Sequence, residues 1–142
     1  MRILTALFLS LLVIGCDSGG PSSGVGDLQV TLHPYGRDVL VATVEKYGCT
    51  AYTLVGPLTQ DSSELMFTVE GVRQPELCSR AFTPARRRLS LAGADLDGYT
   101  LSLRKDGETD VYEVVPGVNA GTYSLRSVRS SFSEAIPPIV TQ

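Results

Sequence analysis

Between Tyr99 and Arg104 the chain alternates strictly: Tyr99, Leu101 and Leu103 fall on one parity, and Thr100, Ser102 and Arg104 on the other. A period of two puts successive side chains on opposite faces of an extended strand, so such a run buries its apolar face only as part of a sheet. Lys105-Asp106-Gly107-Glu108 follows, and Asp-Gly suits the positive φ angles of a type I′ hairpin turn. Val111 to Val115 then returns, until Pro116-Gly117 breaks it. The same alternation recurs upstream. Leu28, Val30 and Leu32 alternate with Gln29 and Thr31 before Pro34, and Leu65, Phe67 and Val69 alternate with Met66, Thr68 and Glu70. Leu89 and Leu91 precede Gly93, and Tyr123 and Leu125 mark a further strand. Asp38 to Tyr47 is apolar on both faces, as a central strand would be, while Cys49 to Val55 has an ambiguous phase. No run shows a helical period; the one helical candidate is a turn over Pro75 to Phe82. About eight short strands at roughly 8–15-residue spacing predict an all-β domain, an antiparallel β-sandwich of about 7–8 strands.

The N-terminus is written differently. Met1 and Arg2 precede Ile3 to Ile14, in which only Thr5 and Ser10 are polar. One basic residue before about a dozen apolar ones is the pattern of an export signal, and the run is shorter than the roughly 20 residues that span a bilayer. Val13-Ile14-Gly15-Cys16 closes it and resembles the lipobox of bacterial lipoproteins. The resemblance implies that the signal is cut before Cys16, that the Cys16 thiol carries a diacylglyceryl group, and that the protein is anchored to a membrane. Asp17 after the acylated position resembles the inner-membrane retention signal of enteric lipoproteins; the inner and the outer membrane both stay open. The expected organisation is a signal peptide at 1–15, a lipidated cysteine and Gly/Ser-rich tether at 16–26, a β-sandwich at 27–130 and a Pro-containing tail at 131–142.

Charge and cysteine content narrow the function classes. The formal net charge is −3, and removing residues 1–15 with their single Arg2 makes it one unit more negative. A nucleic-acid binder carries a concentrated basic footprint, so no nucleic-acid partner is expected. With Cys16 committed to lipid, Cys49 and Cys78 remain as an even pair in an oxidising compartment, which favours a disulfide. Zinc would want about four closely spaced ligands, and the chain adds only one histidine, His33.

Gly98-Tyr99-Thr100-Leu101 and Gly121-Thr122-Tyr123-Ser124-Leu125 resemble the strand entries of immunoglobulin-like and transthyretin-like modules of bacterial surface proteins. The stretch from Cys78 through Pro84, Leu89 and Leu91 to Leu101 also resembles small disulfide-bearing bacterial lipoproteins. Catalytic patterns are sparse. His33 sits at a strand end before Pro34, and no Gly-x-Ser-x-Gly elbow occurs. The Gly-rich residues 19–26 lack the lysine and following helix of a phosphate loop. Two acidic groups are candidates for Ca²⁺, which takes six to eight oxygens: Asp95 with Asp97, and Asp106 with Glu108 and Asp110. The strand between them should keep them apart, and turn chemistry accounts for both. Arg86-Arg87-Arg88 reads as a solvated loop, with anionic lipid or an acidic partner patch as the alternatives. The expected function is a non-enzymatic, lipid-anchored module of the cell envelope, facing the periplasm or the cell surface and binding or scaffolding an envelope protein or polysaccharide. It needs no cofactor beyond the lipid on Cys16. The alternatives are a small envelope hydrolase and an inhibitor or assembly factor acting on an envelope protein.

Overall fold

A computed structural model of the chain describes residues 23–92 and 95–137. Its strands are β1 (Leu28–Leu32), β2 (Asp38–Tyr47), β3 (Thr53–Val55), β4 (Leu58–Gln60), β5 (Glu64–Val69), β6 (Gly71–Arg73), β7 (Thr83–Ser90), β8 (Thr100–Lys105), β9 (Glu108–Pro116), β10 (Tyr123–Arg129) and β11 (Ser133–Ala135). They form two sheets, in the orders β11-β1-β2-β7-β3-β6 and β10-β9-β8-β5-β4. No helix occurs among the described residues. The helical turn expected over Pro75 to Phe82 is a run of bends, and of Cys49 to Val55 only Thr53–Val55 is strand.

The strongest sequence signal holds in detail. Lys105 pairs with Glu108 across the β8–β9 turn, and Asp106 and Gly107 have φ of 52° and 83°. The one-sided runs bury the expected parity: Leu28, Val30 and Leu32 of β1, Leu65, Phe67 and Val69 of β5, and Leu101 and Leu103 of β8 enter one core. Val39, Val41, Tyr112 and Val114 join them from the neighbouring strands, so residues of both sheets meet in a sandwich-like arrangement. A fully buried side chain of this size contributes about 1.5–3 kcal/mol, and this shared cluster is what holds the two sheets together.

Two features depart from the expectation of about eight antiparallel strands. The described residues contain eleven strands, and the sheets are mixed: β5 is parallel to β8, β1 to β11, and β3 meets β7 in the parallel sense. Two of the extra strands, β4 and β6, come from one long hairpin bent across both sheets. Its inner half pairs β4 with β5 and its outer half pairs β3 with β6. Pro57 O accepting from Thr68 N at 3.0 Å and Val55 O accepting from Glu70 N at 2.9 Å carry the ladder around the bend. Gly56 sits there with φ 148°, and a Cβ on it would lie 1.8 Å from the Thr68 carbonyl oxygen. Only glycine lets the two backbones approach so closely.

The domain also reaches beyond both expected boundaries. Residues 131–137, assigned to a tail, supply β11, whose Ser133, Glu134 and Ala135 pair with Leu28, Gln29 and Val30. Residues 23–26, assigned to the tether, close one end of the fold. Ser23 N–H and Oγ donate to the two Asp106 carboxylate oxygens at 2.6 and 3.2 Å, and Val25 is buried. Lys105 Nζ donates to the carbonyls of Val25 and Gly26, both at 3.0 Å. Asp27 O then accepts from Val44 N, which passes the chain onto β2's sheet. The export signal, the lipobox with Cys16, and Asp17 lie outside the described residues.

Candidate functional site

The acidic groups proposed for Ca²⁺ are separated by β8 as expected, and each is engaged in holding backbone. In the loop before β8, Asp95 Oδ1 accepts from Asp97 N at 3.0 Å, an Asx-type turn that leaves Leu96 buried. At the other end of β8, Asp106 holds Ser23 and Glu108 Oε2 accepts from Ser131 Oγ at 3.0 Å. Asp110 points inward from β9, on the parity of Tyr112 and Val114, and is fully buried. Its Oδ1 accepts from Ser131 N at 2.7 Å and Ser131 Oγ at 2.9 Å. Its Oδ2 accepts from Phe132 N at 3.1 Å, Ser133 N at 2.8 Å and Ser133 Oγ at 2.6 Å. Burial pushes this carboxyl upward, but the bonds from Ser133, Ser131 and Phe132 outweigh it and hold the pKa below the ordinary carboxylate value. Among the described residues, no three His, Cys, Asp or Glu side chains gather as metal ligands would.

His33 is exposed where β1 turns toward β2. Its backbone makes the turn, donating to Asp38 O at 2.9 Å and accepting from Gly36 N at 3.2 Å. Among the described residues no serine hydroxyl or carboxylate is hydrogen-bonded to its ring, so no nucleophile–base pair is assembled there. Asp61, a further carboxylate at that end, accepts from the N–H groups of Ser63 and Glu64, both at 2.8 Å, and these bonds lower its pKa.

Cys49 and Cys78 form a disulfide with Cα atoms 5.1 Å apart. Thr50 N donates to Ser79 O at 3.0 Å and Thr83 Oγ1 to Cys49 O at 3.1 Å, so the bridge fastens the loop after β2 to the loop before β7. Arg86-Arg87-Arg88 is not a solvated loop; it lies within β7 and obeys the strand's parity. Arg86 and Arg88 face outward, opposite Ala42 and Leu40 of β2. Arg87 turns inward: its guanidinium lies over the Phe67 ring, 5.4 Å from the centroid, and donates to Leu54 O at 3.4 Å. The stem fills the gap between sheets while the head meets a π face and a carbonyl.

The outer face of the β1–β2–β7 region carries an open groove of about 320 Å³ lined by Leu40, Ala42, Thr31, Pro84, Arg86 and Ile136. It explains why β2 reads as apolar on both faces: Val39 and Val41 enter the core, whereas Leu40 and Ala42 floor this groove. The largest exposed apolar side chains lie on loops. Tyr35 and Val118 are 72% and 105% exposed on turns joined by Tyr123 N donating to Pro34 O at 3.0 Å. Leu77 and Phe82 are 89% and 77% exposed on the loop before β7, which the disulfide ties at Cys78.

The Asp110 clasp escaped the sequence reading, which treated Asp110 as one more loop carboxylate. The available signal was parity: Asp110 shares the inward register of Tyr112 and Val114, and a carboxylate there requires donors. The chain matches no protein-family model, no curated protein and no solved structure.

Proposed function

We propose that the chain is a bacterial lipoprotein, acylated on Cys16 and anchored to a cell-envelope membrane, whose β domain is a non-enzymatic binding or scaffolding module of the immunoglobulin-like or transthyretin-like kind. The observation that carries this reading is the position of Ser23, which is already fastened to the β domain a few residues after the lipobox cysteine. Between the two runs only Asp17-Ser18-Gly19-Gly20-Pro21-Ser22, a sequence with the composition of a linker. Export signal, acyl acceptor, short linker and disulfide-bearing domain thus follow one another in the order an anchored envelope protein needs. The domain reading draws support from Gly98 and Gly121, which take φ of 73° and 74° just before β8 and β10. The binding reading draws support from the use of the buried and turn carboxylates as backbone acceptors, and from Tyr35 and Val118 at the end far from Ser23, where a partner in the envelope would reach them.

The test is fractionation of cells expressing the full chain and Cys16→Ser. The parent should sediment with membranes and incorporate labelled palmitate, while the variant should do neither. A Cys16→Ser chain that stays in the membrane fraction, or a parent without acyl label, overturns the reading.

A further inference from the structure

We propose that the loop over residues 74–82, tied by the disulfide at Cys78, is a second membrane contact, with Leu77 and Phe82 entering the lipid interface beside the acyl anchor. The inference rests on the reading of Cys16 as acylated, and its geometry comes from the fold. Strand β1 begins at Leu28, opposite Thr43, whereas β2 continues past that level to Tyr47, which pairs with Thr83 at the start of β7. The Cys49–Cys78 loops therefore project from the same end of the fold at which residues 23–27 enter. Ser23 is fixed to Asp106 at that end. The linker from Cys16 to Ser23 has an r.m.s. reach of about 15 Å as a Gly/Ser coil and about 25 Å fully extended. A domain of this size has a radius of gyration of about 13 Å, so an anchor on Cys16 keeps the entry end nearest the bilayer and the far end away from it.

What that end presents is apolar, and its named charges run to an acidic excess. Leu77 and Phe82 are 89% and 77% exposed, and the disulfide together with the Thr50–Ser79 bond holds the loop that carries them. Arg80 lies between them in sequence, with Lys46 and Arg73 on the flanking strands. Glu45, Glu70, Glu76, Asp106 and Glu108 offset these cations. The acidic excess removes any preference for anionic headgroups, so the partner is the acyl–headgroup boundary of a zwitterionic bilayer, reached by the two apolar side chains while Arg80 stays at headgroup level.

The chain contains no tryptophan, so a single introduced indole reports its own surroundings. The full-length chain carrying Phe82→Trp, or Leu77→Trp, is purified from membranes, its acylation checked by intact mass, and reconstituted in phosphatidylcholine vesicles with acyl chains brominated near the headgroup. Tyr35→Trp, at the far end of β1, is the reference. The indoles of Phe82→Trp and Leu77→Trp should emit further to the blue than in detergent-free buffer and be quenched by the brominated lipid, while that of Tyr35→Trp is not. An acylated protein in which the Phe82→Trp and Leu77→Trp indoles emit as exposed groups and escape quenching overturns the loop contact alone. Equal quenching in Tyr35→Trp and Phe82→Trp overturns the orientation. A protein lacking the acyl mass overturns the anchor, and the loop contact with it.

Discussion

The Asp110 carboxylate receives five hydrogen bonds from three consecutive residues, Ser131, Phe132 and Ser133, and so pins the last described strand to the core. Replacing it by alanine has a cost that the structure apportions. The two serine hydroxyls have other partners, Glu108 Oε2 at 3.0 Å and Tyr112 Oη at 2.7 Å, and the exposed Ser131 N–H can turn to water. The N–H of Phe132 is buried and that of Ser133 half-buried, so neither turns freely to water. A stranded buried donor costs about 1–3 kcal/mol, so Asp110→Ala should lose about 3–5 kcal/mol, a large share of the roughly 5–15 kcal/mol of an ordinary domain. Asp110→Asn keeps one acceptor oxygen but gives up the charge and turns an amide N–H₂ toward donors, for a loss of about 2 kcal/mol. Urea unfolding at pH 7, followed by circular dichroism and tyrosine fluorescence, measures both. Because the folded pKa lies below the unfolded value of about 3.9, the clasp contributes fully above that pH and its contribution fades as pH falls through the folded value. The parent should therefore lose stability on acidification more steeply than either variant. Hydrogen exchange should quicken first at Leu28 and Ile136, whose N–H groups bond Phe132 O and Val30 O. A loss under about 1 kcal/mol for Asp110→Ala, with the acid slope unchanged, would refute the idea that this carboxylate carries the strand.

Opening the Cys49–Cys78 loop by the double Cys→Ser change should lower stability by about 3–4 kcal/mol on the chain-entropy estimate, and the melting temperature by about 15 °C. An unchanged melt under reducing conditions would contradict it. Gly56→Ala places a Cβ 1.8 Å from a backbone oxygen, so the loss should exceed about 4 kcal/mol and little folded protein should accumulate. Gly48→Ala, whose Cβ would meet nothing within 4 Å, is the control and should change stability by less than about 1 kcal/mol.

The parts of this fold legible in the sequence are those whose partners lie close along the chain. The β8–β9 hairpin announces itself through alternation and Asp-Gly, and the inward parity of β1, β5 and β8 follows from period two alone. The parallel pairs left no such mark, because β1 and β11, or β5 and β8, are joined through other strands instead of a turn. Short strands such as β3, β4 and β6 carry too few residues to display a period. Arg87 looked like part of a solvated charge run because its neighbours are also arginines; only the strand register separates it from Arg86 and Arg88. Of the site chemistry, the pairing of Cys49 with Cys78 and the separation of the two acidic groups were readable by arithmetic and position. The structural employment of Asp106 and Asp110 was not, since each serves residues more than twenty positions away.

The parallel pairing of β1 with β11 also sets an order of events. A chain delivered N-terminus first, from a ribosome or through a secretion channel, presents β1 long before residues 133–135 arrive. Until then one edge of β1 offers unpaired backbone groups, and an open edge invites pairing with another chain. The buried Asp110 meanwhile lacks its donors. Pairing of that edge of β1 is thus withheld until β11 is released, and a chain stalled a few residues short of it should be the species most prone to self-association and proteolysis.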